Sequence, residues 1–260
     1  MKPIPIRQIA SAKGSAAANF RIRRLDELVS DRDMVHELHR HNFYFILAIE
    51  KGRGTHEIDF SLYEIHDNSV FILRPGQVHQ LTVKAKSIGY LLEFNSEFYP
   101  QNESLRTATQ INFCRLDFRT FLKVRSILDY IAQEFEQRDE RYEQVIKANL
   151  DIFFIELLRN RKQVGPRAAG TTYEQQKLQQ FLALVEKNLR KQLHVSEYAD
   201  ALNVSPYQLN NITKSTLGKT ASAVIDDHIV LEAKRYLLAT PEQINQIAFH
   251  LGYEDPSYFI

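Results

Sequence analysis

Between residues 40 and 95 the apolar positions come in short runs, FYFILAIE, GTHEIDF, SVFILRP, HQLTV and IGYLLEF, separated by turn signals such as KGRG and HDN. Runs of this length and spacing predict the strands of a sandwich or small barrel. No helical period lies between them, so the strands are expected to pair antiparallel. Beyond residue 118 the period lengthens. Phe121, Val124, Leu128, Ile131 and Phe135 recur at three and four residues, as do Tyr142, Val145, Ile146, Leu150, Phe153, Phe154 and Leu157. This predicts two helices joined through EQRDER as a hairpin. The stripes are wider than one side of a small barrel would cover. The hairpin is therefore expected either to pack on the barrel or to form a dimer seam that includes Leu128. The stretch RNRKQVGPRAAGTT, residues 159–172, combines Gly, Pro, small and basic residues and reads as a linker. All that follows has helical period. The expected organisation is α+β in several domains: a barrel over 1–118, a hairpin over 119–160, a linker over 161–174 and an all-helical domain over 175–260.

The last third repeats itself. In HVSEYADALNVSPYQLNNITKSTLG, residues 194–218, Val195, Tyr198, Ala199 and Leu202 form the inner face of a short helix. Asn203 follows, a residue that tolerates a left-handed backbone. Ser205, Pro206 and Gln208 then open a second helix as N-cap, first position and capping-box partner. Leu209, Ile212 and Leu217 are expected to face inward. Further along, Ile244, Ile247, Ala248 and Leu251 repeat the first pattern, Gly252 takes the place of Asn203, and Asp255-Pro256 replaces Ser205-Pro206. Thr240, Pro241 and Gln243 are expected to cap this second unit. A helix, a tight turn and a capped helix make a helix-turn-helix. Its double occurrence, joined by SAVIDDHIVLEAKRYLL, is far more specific than one copy.

Charge does not announce a nucleic acid. The chain has a net charge of +1, and residues 171–260 hold 8 Lys+Arg against 10 Asp+Glu, so DNA binding must be argued from pattern. The single Cys114 excludes an intrachain disulfide and fits a reducing compartment. The N-terminal MKPIPIRQIASAKGSAAANF has no signal-peptide core, and no stretch approaches the roughly 20 apolar residues of a membrane helix. A cytoplasmic protein with no membrane partner is expected.

Through LNNITKSTLGKTASAVI, LEAKRYLL, INQIAFHLGYEDPSYF and the two turn pairs, the chain from about residue 175 onward resembles the DNA-binding domain of the AraC/XylS transcription regulators. HRHNFYFILAIEKGRGTHEIDF and ILRPGQVHQ are similar to the cupin-type sensor domain common in that family. The resemblance implies a sequence-specific regulator of double-stranded DNA, controlled by a small-molecule effector, acting as a homodimer and with RNA polymerase as a further partner. Its two recognition helices would enter major-groove segments about one turn, ~10 bp, apart. Family members continue past a DPSYF-like segment with a basic, aromatic stretch and a final helix. The chain is therefore expected to be truncated, with reduced cover over Ile247, Leu251 and Phe259 and weakened operator binding.

In the first unit Tyr207, Gln208, Asn210, Asn211 and Lys214 are expected on the outer face of the recognition helix. In the second, Ser257 and Tyr258 are the corresponding candidates. Asn and Gln suit bidentate pairing with adenine, and Lys suits phosphate. A solvated polar helix face is the plain alternative for the same residues, and the doubled unit favours DNA.

On a strand, His39 and His41 share a face, and the resemblance brings His79 of PGQVH beside them. In metal-binding cupins these three positions carry ligands, completed by a Glu where Phe45 stands here. The expectation is an effector pocket lined by His39, His41, Tyr44 and His79, with no metal or other cofactor assigned. The same histidines in a purely structural role are the plain alternative. His56 and His66 fall near turns and are expected at the surface. A metal-dependent cupin enzyme and a bare sensing or dimerising module are the competing classes. No nucleophile–base pair, phosphate loop or paired carboxylate supports catalysis, and an enzyme has no use for a doubled helix-turn-helix.

Overall fold

The computed structural model describes residues 5–7, 9, 19–164, 172–191, 193–240 and 242–259, in two compact units that divide after Val164. The first unit is β-rich. Its strands are β1 (Ile6–Arg7), β2 (Phe20–Arg24), β3 (Met34–His41), β4 (Tyr44–Lys51), β5 (Gly54–Ile58), β6 (Ser61–Ile65), β7 (Ser69–Leu73), β8 (Val78–Val83), β9 (Ile88–Phe94) and β10 (Phe113–Arg115). Among the described residues they form two five-stranded sheets, one in the order β1-β3-β8-β5-β6 and the other β10-β7-β4-β9-β2. A short helix α1 (Leu25–Leu28) follows β2, and α2 (Glu103–Ala108) precedes β10. The pairings are antiparallel as expected, except that β1 lies parallel to β3, with Ile6 and Arg7 opposite Arg40 and His41. Parallel neighbours need a long connection. Here that connection passes through β2 of the other sheet.

The hairpin forms as α3 (Phe118–Gln137) and α4 (Tyr142–Val164). Asp117 caps α3 by accepting from Thr120 N at 3.0 Å, and Arg138 closes it in a left-handed conformation. The helices cover the second sheet, which explains why every residue from Tyr44 to Ile49 is buried. Alternate residues of β4 serve two cores. Phe45, Leu47 and Ile49 point between the sheets, while Tyr44, Ile46 and Ala48 pack under the hairpin with Leu128, Ile131, Leu150 and Phe154. Tyr90 and Tyr99 donate to Asp129 and Asp151 and tie the sheet side to α3 and α4. The stripe holding Leu128 is thus covered within the chain, and Leu128 has no exposed surface for a dimer seam.

The second unit is helical: α5 (Thr172–Asn188), α6 (Val195–Ala201), α7 (Pro206–Leu217), α8 (Ala221–Ala239) and α9 (Ile244–His250). Phe181, Val185, Tyr198, Leu209, Ile225, Ile247 and Leu251 share its core. Ile247 and Leu251 are fully covered, against the expectation of lost cover, because α8 and the turn after α9 close over them. Leu217 and Ile244, expected inward, are 42% and 49% exposed, since each lies at a helix end beyond the core. The expected linker shortens: residues 161–164 belong to α4 and 172–174 to α5, while 165–171 lie outside the described residues.

Because Leu128 is enclosed, Leu128→Ala should lower unfolding free energy by about 2–5 kcal/mol in urea titrations followed by circular dichroism. Ile152→Ala, on a half-exposed position of the same hairpin, should cost less than about 1 kcal/mol.

Candidate functional site

A β-bulge organises the first candidate site. Along β3 and β8, His36 lies opposite Leu81 and His39 opposite His79, so three steps on β3 match two on β8. The extra residue reverses the strand's phase. His36, His39 and His41 consequently all turn inward, although simple alternation would put His36 on the other face. β8 adds His79 and β5 adds His56, which is fully buried beside Ile58 rather than at the surface. His66 does stay half-exposed, 3.5 Å from the Glu64 carboxylate.

The rings are in direct contact. His41 Nε2 lies 2.7 Å from His79 Nε2, and His79 Nδ1 lies 2.8 Å from His56 Nε2. Each contact requires one ring N–H, so the chain His41–His79–His56 has two consistent proton arrangements. His39 Nδ1 donates to the Glu37 carbonyl at 2.6 Å, which leaves its Nε2 as a lone pair. That Nε2, together with Nδ1 of His36, His41 and His56, has no hydrogen-bond partner among the described residues. Burial holds the group neutral. It lowers His36 and His39 to about 4, with Arg7 adding to the effect in both, His56 to about 3 and His41 to about 2, and it keeps His79 well below the usual imidazole range.

Tyr44 does not join them. Its position on β4 directs it under the hairpin, where it stacks on Phe94 at 5.2 Å. The neighbouring Phe45 takes the inner face and lies flat on His41 at 5.3 Å. His39, His41 and His79 place one ring nitrogen each within 4.8 Å of one another, a donor set suited to a late first-row cation. Phe45 supplies no carboxylate to complete it.

The second candidate site is the pair of turns. In the first unit Glu197 accepts from His194 N at 2.7 Å to open α6. Asn203 takes φ 54°, and Val204 N donates to Ala199 O at 3.0 Å. Ser205 and Gln208 exchange the reciprocal bonds of a capping box, at 3.1 and 2.8 Å. The second unit repeats this core geometry: Tyr253 N donates to Ala248 O at 3.0 Å, and Gly252 takes φ 87°. A side chain there would meet Arg190 O at 2.0 Å, so Gly is required where the first unit accepts Asn. The cap differs from expectation. Gln246 accepts from Gln243 N at 2.9 Å, while Thr240 ends α8 by donating to Tyr236 O; Pro241 lies outside the described residues. Asp255 accepts from Ser257 N at 2.8 Å and opens the turn Pro256–Tyr258.

Tyr207, Asn211 and Lys214 are exposed on α7 at spacings of four and three, one continuous stripe opposite buried Leu209 and Ile212. Asn210 is not part of it. Its Oδ1 accepts from Ala221 N at 2.9 Å and its Nδ2 donates to Pro206 O at 3.1 Å, so its amide joins α7 to α8. Gln208 is exposed, but its Oε1 is held in the cap. Ser257 and Tyr258 are exposed, Tyr258 at 83%.

A two-sheet β domain with a histidine cluster in its apolar interior and a helical domain with paired helix-turn-helix units define a ligand-responsive, DNA-binding transcription regulator. The family description "AraC-like ligand binding domain" matches residues 27–152, and "Helix-turn-helix domain" matches residues 198–260. In domain content the chain is an AraC-type regulator, a ligand-binding domain followed by a helix-turn-helix domain. It is 21% identical over 232 residues to the HTH-type transcriptional activator RhaS of Enterobacter sp. (strain 638), covering 85% of this chain and 81% of that protein. It is 20% identical over 226 residues to the activator RhaR of Mannheimia succiniciproducens, covering 85% and 80%. Among solved structures it is similar to ToxT from Vibrio cholerae, with 17% identity, a TM-score of 0.44 and coverage of 93% and 89%. No described helix is long and apolar enough to cross a membrane.

The neutral histidine cluster makes the β unit acid-sensitive. Above pH ~7.5, a unit beyond the ordinary imidazole value, these histidines are neutral in both folded and unfolded chains, and stability does not depend on them. As pH falls from there toward about 4, the unfolded chain takes up protons that the folded cluster refuses, so stability is lost. Near-UV circular dichroism of the β unit should melt at progressively lower temperature between pH 6.5 and 4. A flat melting temperature across that range would contradict buried, neutral rings.

Proposed function

We propose that the histidine cluster is the effector-sensing centre of this regulator and that α7 reads its operator. The observation that carries the proposal is the exposed stripe Tyr207, Asn211 and Lys214 on a helix whose other face is locked into a doubled helix-turn-helix. Asn211 offers both amide atoms to an adenine edge, Lys214 reaches phosphate, and Tyr207 contacts the backbone or a thymine methyl. Ser257 and Tyr258 present the corresponding turn of the second unit. Gln208 orients the helix through its cap. In the β unit, His39, His41 and His79 meet the effector, with His36 beside His39 and His56 behind His79, and Tyr44 has no direct part. The polar cluster serves recognition rather than catalysis. The protein is proposed to work in the cytoplasm, with RNA polymerase as a partner, and as an activator like the relatives it resembles.

Dimerisation is assigned to the outer face of α4. Ala148, Ile152 and Ile155 lie at spacings of four and three, exposed, on the side away from the covered stripe. They replace Leu128 as the seam.

Two measurements test the reading. On a duplex selected from a random pool, Lys214→Ala should weaken binding and reduce the salt slope by about 0.9. Asn211→Ala should weaken it about 5- to 150-fold with altered base preference, at unchanged melting temperature. Asn210→Ala should instead lower the melting temperature, because Ala221 N–H loses its acceptor. If Asn211→Ala and Lys214→Ala bind as wild type, α7 is not the reading helix. Separately, Ile152→Glu combined with Ile155→Glu should give folded monomers by light scattering, and a persistent dimer would place the seam elsewhere.

A further inference from the structure

The interior of the two-sheet domain ends, along one edge, in cations. β1 and β2 are edge strands of the two sheets. Arg7 lies opposite His41, and Arg21 and Arg23 lie opposite Glu93 and Leu91. Residues directly opposite one another in a sheet share its face. All three arginines therefore leave the backbone on the face that carries His41, Leu91 and Glu93. Their fields converge: Glu93 is influenced by Arg23, Arg21 and Arg7, and His36 by Arg7 and Arg23.

Against these three guanidiniums stands one carboxylate. Arg23 Nη2 lies 3.2 Å from Glu93 Oε2, with the Glu93 side chain 11% exposed. Arg23 Nε is buried and has no hydrogen-bond partner among the described residues. Arg7 and Arg21 have no side-chain hydrogen bond or ion pair among the described residues. The sequence joining the two strands, QIASAKGSAAA over residues 8–18, contains no acidic residue. Arg21 and Arg23 are half-buried and Arg7 is exposed; like charges gathered on one edge repel one another, and planar guanidiniums match the geometry of carboxylate and phosphate groups.

We propose that this edge anchors the effector, which is a small carboxylate- or phosphate-bearing anion held between Arg7, Arg21 and Arg23. The assignment rests on the effector-pocket reading above and adds the chemical class of the ligand. The remainder of the anion faces His39, whose Nε2 lone pair accepts a ligand hydroxyl. A neutral ligand would leave the excess positive charge unmatched.

The test uses the full chain and a variant carrying Arg7→Gln and Arg21→Gln, neither of which contributes to a core. Melting temperature is followed by circular dichroism in sodium chloride, sodium phosphate and sodium lactate at equal ionic strength. Phosphate or lactate should raise the wild-type melting temperature over chloride by about 3 °C once its concentration is roughly ten times its Kd. The variant should show no such rise, and in chloride it should melt at or above the wild type because repulsion is relieved. Whichever anion acts identifies the source as phosphate or carboxylate. No rise, or an equal rise in both proteins as general salt exclusion would produce, overturns the inference. So does a variant that melts lower in chloride, since the arginines would then be structural. If instead a neutral monosaccharide raises the melting temperature of the wild type but not of a His39→Leu variant, the pocket stands and the anionic class falls.

Discussion

Burial of β4 on both faces is the constraint on which the β unit depends. A strand with one solvated face can alternate apolar and polar residues, but Tyr44 to Ile49 has no solvated face. Its odd-numbered residues must fill the space between the sheets and its even-numbered residues must fill the space beneath α3 and α4. The hairpin is therefore part of the domain's core. Without it the outer side of the second sheet, with Ile46, Val70, Ile72 and Leu92, would face water. The same division decides what surrounds the histidines: Phe45, on the inner parity, lies flat against His41.

Within that interior the five imidazoles are an exception to the apolar filling around them. Burying polar groups without partners is unfavourable, and the cluster limits this by bonding ring to ring and by anchoring His39 on the Glu37 carbonyl. What remains is a set of ring nitrogens with lone pairs or N–H groups directed into the domain. Such groups are retained at an energetic disadvantage, which the proposed effector would relieve. The arginine edge poses the same problem in charge, with one carboxylate among three guanidiniums.

In the helical unit the controlling element is the tight turn after α6 and after α9. Ala199 and Ala248 each accept a bond from the residue five positions on, which draws the chain close enough that only a small side chain fits between the helices. The two turns differ in what surrounds them. Asn203 projects to solvent, whereas Gly252 passes against the Arg190 carbonyl. The units share a backbone plan and diverge where neighbouring chain approaches.

Local sequence determined the parts set by near neighbours. The strand runs, the helical periods of the hairpin, the capping box at Ser205 and the left-handed positions Asn203 and Gly252 were all legible, because each depends on interactions within a few residues. The family resemblance added the grouping of His39, His41 and His79. Tertiary structure decided the rest. Alternation says which residues share a face but not what covers it, so it cannot tell that Tyr44 belongs beneath the hairpin and not with the histidines. It also cannot register a bulge, which needs the partner strand, and counted from His39 and His41 it puts His36 on the opposite face. His56 could have been found, two residues before inward Ile58, but the nearby turn obscured its strand. On α7 alone Asn210 is a base-reading amide; α8 supplies the Ala221 N–H that it accepts. In each case the deciding partner is distant in sequence, and the one-dimensional pattern carries no information about it.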